Sequence, residues 1–135
     1  MSAETNKAAA HRIFNEVFNG RNLDLLDGLI ANNFVNHDMP VPEKGPAQMK
    51  AILNNFLAAF SDMHIHVAEI MGDGDLVATR GEWTGTHSGE FMNMPATGKK
   101  VKVKYMDMWR FENGKAVENW VQMDMPGLWQ QLNAK

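Results

Sequence analysis

Hydrophobic residues recur with the period of a helix in the first part of the chain and with the period of a strand in the rest. Ala10, Ile13, Phe14, Val17 and Phe18 make an apolar stripe that predicts a helix over 3–19, with Gly20 as its C′ residue. A short second helix is predicted from Leu23 to about Ile30, with Asn22 as N-cap. PVPEKGP (40–46) is a loop by its prolines and glycine, and Pro46 suits the first turn of a third helix. That helix carries Met49, Ile52, Leu53, Phe56, Leu57 and Phe60 on one face. After Ser61 the period becomes two. Strands are predicted over 63–70, 76–87, 101–111 and 116–124, with turns at GDGD (72–75) and ENGK (112–115). Pro126 then opens a short helix, GLWQQLNA. Helices first and a strand meander last predict one α+β domain over 1–135, an antiparallel sheet with helices packed on one face.

Composition narrows the chemistry. A net charge of -3 with no Lys/Arg stripe argues against nucleic acid or an anionic membrane surface as partner. The absence of cysteine excludes disulfides, thiolate catalysis and Cys-ligated zinc, and suits a cytoplasmic location. The polar start MSAETNKAAAH lacks the apolar core of a signal peptide, and no apolar run approaches a membrane span. Eleven methionines stand out; they are adaptable core filler or the lining of a deformable apolar pocket.

Strand parity sorts the side chains by face. Over 101–111, one face holds Val103, Tyr105, Asp107, Trp109 and Phe111, and the other Lys102, Lys104, Met106, Met108 and Arg110. Asp107 is thus a carboxylate among aromatics. It is either poised for acid–base work or satisfied by a cation or by N–H groups. On the last strand Glu118, Trp120, Gln122 and Asp124 oppose Val117, Asn119, Val121 and Met123. The polar set faces either water or a pocket that needs it. His37, beside Asp38, either orients a substrate or is a plain loop histidine. His64 and His66 share a strand face, but no further ligand pattern supports a metal. There is no G-x-S-x-G and no glycine-rich phosphate loop before a helix, so neither a metal nor an organic cofactor is indicated.

VNHDMP (35–40), GEFMNMPATGKKV (89–101), DMWRFENGKAVENWVQMD (107–124) and GLWQQLNA (127–134) together resemble the SnoaL-like polyketide cyclases of the NTF2-like superfamily. The resemblance implies an NTF2-like cone: a curved antiparallel sheet whose concave face, with the N-terminal helices, encloses an apolar pocket. It implies a homodimer, with Met106, Met108, Val121 and Met123 on the outer face of the sheet. It also implies cofactor-independent aldol-type ring closure or proton transfer on a small hydrophobic carbonyl compound, or a pocket of the same fold that only binds such a molecule. Carried across, the family's late aspartate falls on Asp124 and its D-x-x-RF aspartate on Asp107, with Asp124 the first choice of acid–base residue. The N-H pair falls on Asn36 and His37 and the GTH histidine on His87. Tyr105, His37 and Asn36 are then donors to an enolate oxygen, and Trp83, Trp109, Trp120 and Phe91 shape the pocket together with Glu118 and Gln122. Many members read E-H-W-D where this chain has Glu118-Asn119-Trp120-Val121.

Overall fold

The computed structural model describes residues 2–39 and 41–134; Pro40, which ends VNHDMP, lies outside the described residues. The first helix, α1 (Ala3–Arg12), is capped by Ser2, whose hydroxyl accepts from the Thr5 amide. It continues as a wider π-helical run over Ile13–Asn19 that brings Phe14 and Val17 into the core. The turn that ends it is not the expected one. Arg21 holds the left-handed conformation (φ 63) and Gly20 does not (φ -81). Gly20 is required for another reason: a Cβ there would lie 2.5 Å from the Glu16 carbonyl oxygen. Asn22 makes no capping bond to the 3₁₀ turn Leu23–Leu25, which leads into α2 (Leu26–Leu29).

Ile30 does not end a helix; it begins β1 (Ile30–Asn36), a strand that the hydrophobic pattern did not predict. α3 (Pro46–Ala59) follows with Pro46 at its start, as expected. The remaining strands are β2 (His64–Asp73), β3 (Leu76–Thr86), β4 (Lys100–Glu112) and β5 (Lys115–Met123), and α4 spans Met125–Asn133. The sheet order is β1-β5-β4-β3-β2. The four predicted strands pair antiparallel in sequence, while β1 adds to β5 in parallel. The β4–β5 turn has Asn113 and Gly114 both at positive φ, the combination that Asn-Gly hairpins favour.

One face of the sheet packs under the helices. Val101, Val103, Tyr105, Trp109 and Phe111 of β4 are all buried on it. Phe14 and Val17 of the first helix and Met49 and Leu53 of α3 complete one apolar cluster around Tyr105 and Trp109. Leu128 and Leu132 of α4 complete a second with Trp83, Val101 and Val103. Of the four residues expected outside, Met106 and Met108 are exposed, but Val121 and Met123 turn inward. His64 and His66 are both exposed.

Two irregularities help to bend the sheet. The β2–β3 register shifts between Val67 and Glu69, opposite Gly81. At Gly81 a Cβ would lie 2.0 Å from the His66 carbonyl oxygen, so only glycine lets the strands approach. In β5, Phe111 pairs with Ala116 and Arg110 with Glu118, so Val117 is the extra residue of a bulge; Ala116 and Val117 are both buried. Because backbone rather than a flexible side chain fills the space at Gly81, Gly81→Ala is expected to cost about 2 kcal/mol or more. The midpoint of urea unfolding at fixed pH checks this.

Candidate active site

The helices and the sheet enclose a narrow apolar cavity with about 70 Å³ open to the centre of a water-sized sphere. Its helical side is apolar, with Phe14, Phe18, Met49, Ile52, Leu53 and Phe56; the sheet side supplies Tyr105, Asp107, Trp109, Asn119 and Val121. Asn36 at the end of β1 closes one edge. Four methionines, Met39, Met49, Met63 and Met123, are in its wall, so part of the methionine excess is pocket lining as well as filler. A neighbouring surface groove shares Met39, Ile52, Phe56, Val121 and Met123 with the cavity and carries Phe91 and Met92 on its far side. Those five shared side chains stand between the cavity and solvent.

Asp107 is the carboxylate of this cavity. Thr79, its cross-strand partner on β3, donates from Oγ1 to Asp107 Oδ1 at 2.5 Å, and Trp109 Nε1 donates to Oδ2 at 3.0 Å. Those two donors favour the ionised form, but removal from water outweighs them and pushes the carboxyl up to about 7. Tyr105 Oη lies 3.1 Å from Thr79 Oγ1, and burial pushes its phenol up to about 12. The ring that donates to Asp107 is itself fixed by packing: Phe14 meets Trp109 edge-on at 6.1 Å and Phe34 stacks on it at 6.3 Å.

A second polar group, made of amides, faces the same space. Asn36 Nδ2 donates to Asn119 Oδ1 at 2.8 Å, and Asn119 Nδ2 donates to the Met108 carbonyl at 3.0 Å. Asn36 Oδ1 accepts from the Asp38 and Met39 amides, and its own N–H donates to Gln48 Oε1 on α3. Every amide oxygen is thus engaged, while each side-chain NH₂ has a second N–H outside these bonds. Asn119 pairs with Trp109 across the β4–β5 ladder and Val121 with Asp107. The carboxylate and the Asn119 amide are therefore diagonal neighbours on one face, roughly 7–8 Å apart at the backbone.

That register corrects the expectation for the last strand. Glu118, Trp120 and Gln122 lie on the outer face, because position 119 sits over Trp109 and position 121 over Asp107. Glu118 binds Arg110 Nε at 2.5 Å and His37 Nε2 at 2.7 Å; the Arg110 bond, then the His37 bond, hold its carboxyl below the ordinary value. His37 stacks on Trp120 with ring centres 5.0 Å apart, so it also belongs to the outer face and not to the cavity. Asp124 is exposed and caps α4, accepting from the Gly127 amide at 2.9 Å. Gly127 is part of that cap, since a Cβ there would meet Asp124 Oδ2 at 2.2 Å.

His87 is fully buried and does not line the cavity. Its Nδ1 accepts from the Thr97 amide at 3.2 Å, and its ring packs on Phe60, so it ties down the 87–98 loop. Phe91 sits on the groove, while Trp83 does line the cavity. Of the expected site residues the structure therefore brings together Asp107, Tyr105, Trp109, Asn36 and Trp83. Thr79, Asn119 and Val121 were not anticipated. The apolar alternation Val117, Val121, Met123 is the signal that could have placed Asn119 on the inner face.

Two stability predictions separate the aspartates. A carboxyl whose folded value lies above its unfolded one, 3.8, lowers stability as pH rises through the interval from about 4 to about 7, and the penalty is complete above it. Asp107→Asn is therefore expected to be more stable than the parent at pH 8, by up to about 4 kcal/mol, with the difference vanishing near pH 4. Asp124→Ala is expected to lose about 1 kcal/mol through the cap. Thermal melts from pH 4 to pH 8 check both.

The sequence profile of the SnoaL-like polyketide cyclase family matches residues 8–132. IdmH from Streptomyces antibioticus, described as a candidate polyketide cyclase, is 30% identical, with a TM-score of 0.82 over 96% of this chain and 99% of its own. AclR from Streptomyces galilaeus, described as a candidate hydroxylase, is 30% identical, with a TM-score of 0.83 over 97% of this chain and 82% of its own. TsrD from Streptomyces laurentii shares the fold at 21% identity, with a TM-score of 0.89 over 100% of this chain and 99% of its own. No curated protein matches the chain.

Proposed function

From the premise that this chain belongs to the SnoaL-like polyketide cyclase family, whose membership supports a cyclase- or isomerase-type function, we propose that Asp107 is its acid–base residue and abstracts a proton α to a carbonyl. The observation that carries this reading is the one carboxylate among the described residues of a largely apolar cavity, held by Thr79 and Trp109 and pushed up to about 7. A base with that value is half-ionised near neutral pH, which is the condition for taking a proton and giving it back. The enolate oxygen that forms is met by the spare N–H groups of Asn36 and Asn119, donors already oriented by their other bonds. No step calls for a metal or an organic cofactor.

The cavity wall selects the substrate. Aromatic and aliphatic side chains line nearly all of it, so a small hydrophobic ketone is the class it suits. The cavity is narrow, and Met39, Met123 and Phe56 line both it and the adjoining groove, so a substrate of two fused rings extends from the cavity toward that groove. A binding-only role is not favoured, because it leaves the cost of burying Asp107 without a purpose and family membership supports chemistry.

Solvent exchange tests the base directly. α-Proton exchange of 1-tetralone in deuterated buffer, followed by proton NMR, is expected to be accelerated by the protein. Asp107→Asn is expected to reduce the acceleration by at least about 100-fold, and Asp124→Asn to change it by less than about twofold. Full exchange by Asp107→Asn would assign the proton transfer elsewhere.

A further inference from the structure

Three oxygens form a hydrogen-bonded series that ends at the carboxylate: Tyr105 Oη, Thr79 Oγ1 and Asp107 Oδ1, with separations of 3.1 and 2.5 Å. Tyr105 and Thr79 are both buried. Proton counting fixes the direction. An ionised carboxylate only accepts, so the one hydroxyl proton of Thr79 goes to Asp107. Thr79 can then only accept from Tyr105, and the tyrosine proton is directed into the sheet. Tyr105 also lines the cavity, but in this state it offers a ligand no proton.

Adding a proton gives Asp107 a donor of its own, which permits the sequence of donors to reverse. We propose that Thr79 couples the charge state of Asp107 to the hydroxyl of Tyr105, so that protonation of the carboxyl turns the tyrosine O–H toward the cavity. In the reversed arrangement the Asp107 O–H donates to Thr79, Thr79 donates to Tyr105 Oη, and the Tyr105 O–H is free for an acceptor. No bond between heavy atoms changes. The three groups hold two protons before and three after, the third being the one taken from the ligand. Thr79 is then a positioning residue, and Tyr105 a donor that becomes available when the ligand's oxygen gains charge. The ligand class this serves is a ketone passing through an enolate, which rests on the reading of Asp107 given above.

On the cavity side no other carboxylate or histidine among the described residues accompanies the relay, while on its other side Tyr105 borders a surface groove lined by His66, Arg80, Glu82, Lys104 and Asp124, whose effect the Thr79 variants leave in place. The helices face Asp107 with Phe14, Phe18 and Met49, β1 with Asn36, and β5 with Asn119 and Val121. Tyr105 is the one other titratable side chain among the described residues of the cavity wall.

The chain contains a single tyrosine, so protein labelled with ¹³C at tyrosine Cζ gives one signal, that of Tyr105. The Asp107 titration is read separately from ¹³Cγ-aspartate, assigned with Asp107→Asn. In the parent protein both signals are expected to move with the same midpoint. Thr79→Ser keeps the hydroxyl and is expected to keep the Tyr105 response. Thr79→Val keeps the shape and the through-space effect of the charge, yet is expected to lose at least half of the amplitude. It is also expected to raise the Asp107 midpoint, since the Thr79 bond holds it down. Should Thr79→Val not fold, Thr79→Ala carries the same comparison. A Tyr105 signal that stays flat through the Asp107 transition, or one with full amplitude in the valine variant, overturns the relay. These spectra contain no substrate, so the relay can fail while Asp107 still catalyses ketone exchange. Equally, exchange can fail with the relay intact.

Discussion

The register between β4 and β5 decides which side chains meet. Asp107 lies beside Val121 and Trp109 beside Asn119, and from those two pairs the cavity follows. A strand alternates faces at every residue, so a slip by one would exchange Asn119 and Val121 for Trp120 and Gln122. The ladder is held at one end by the Asn113-Gly114 turn and its adjacent bulge at Val117. Along its length it is held by Asn119, whose amide bonds both to Asn36 on β1 and to the Met108 carbonyl on β4. A single buried side chain thus ties three strands and presents a donor to the cavity.

Within that frame, the aromatic packing and the carboxylate oppose each other. Trp109, Phe14 and Tyr105 exclude water, which favours the core and penalises an ionised Asp107. The Thr79 and Trp109 donors recover only part of the cost. A core selected for stability alone would hold a neutral side chain at this position, and the local destabilisation fits the proposed acid–base role. The outer face shows the contrary arrangement. Glu118, Arg110 and His37 are a mutually satisfied and partly exposed set with no comparable penalty.

Much of this was legible in the residues. The helical stripe of α3, the Asn-Gly turn and the apolar face of β4 follow from spacing, and Asp107 stands out on that face from parity alone. The last strand misled because Glu118, Trp120 and Asp124 carry more recognisable chemistry than Val121 and Met123. Chemical interest and burial are different quantities, and the apolar alternation was the better guide to the inner face. β1 escaped because its partner is distant in sequence: Ile30 pairs with Ala116 in parallel, and two asparagines interrupt its apolar pattern. Thr79 was invisible for a similar reason, since a threonine mid-strand becomes a carboxylate ligand only through cross-strand register.

Position 121 then acquires a different meaning. The resemblance drawn from the sequence sets this valine where an E-H-W-D pattern would have an aspartate, and the ladder places it directly against Asp107. Two carboxylates at that spacing would not both ionise in an apolar cavity; one would be driven far up and would hold the shared proton. With valine there, Asp107 titrates without a neighbouring carboxylate, and its value is set by burial against the donors of Thr79, side chain and backbone, and Trp109. On the proposed reading, proton transfer is then concentrated on one group, which must both accept the proton and return it. Such a site favours reactions in which the proton is removed and replaced on the face of the substrate that Asp107 can reach.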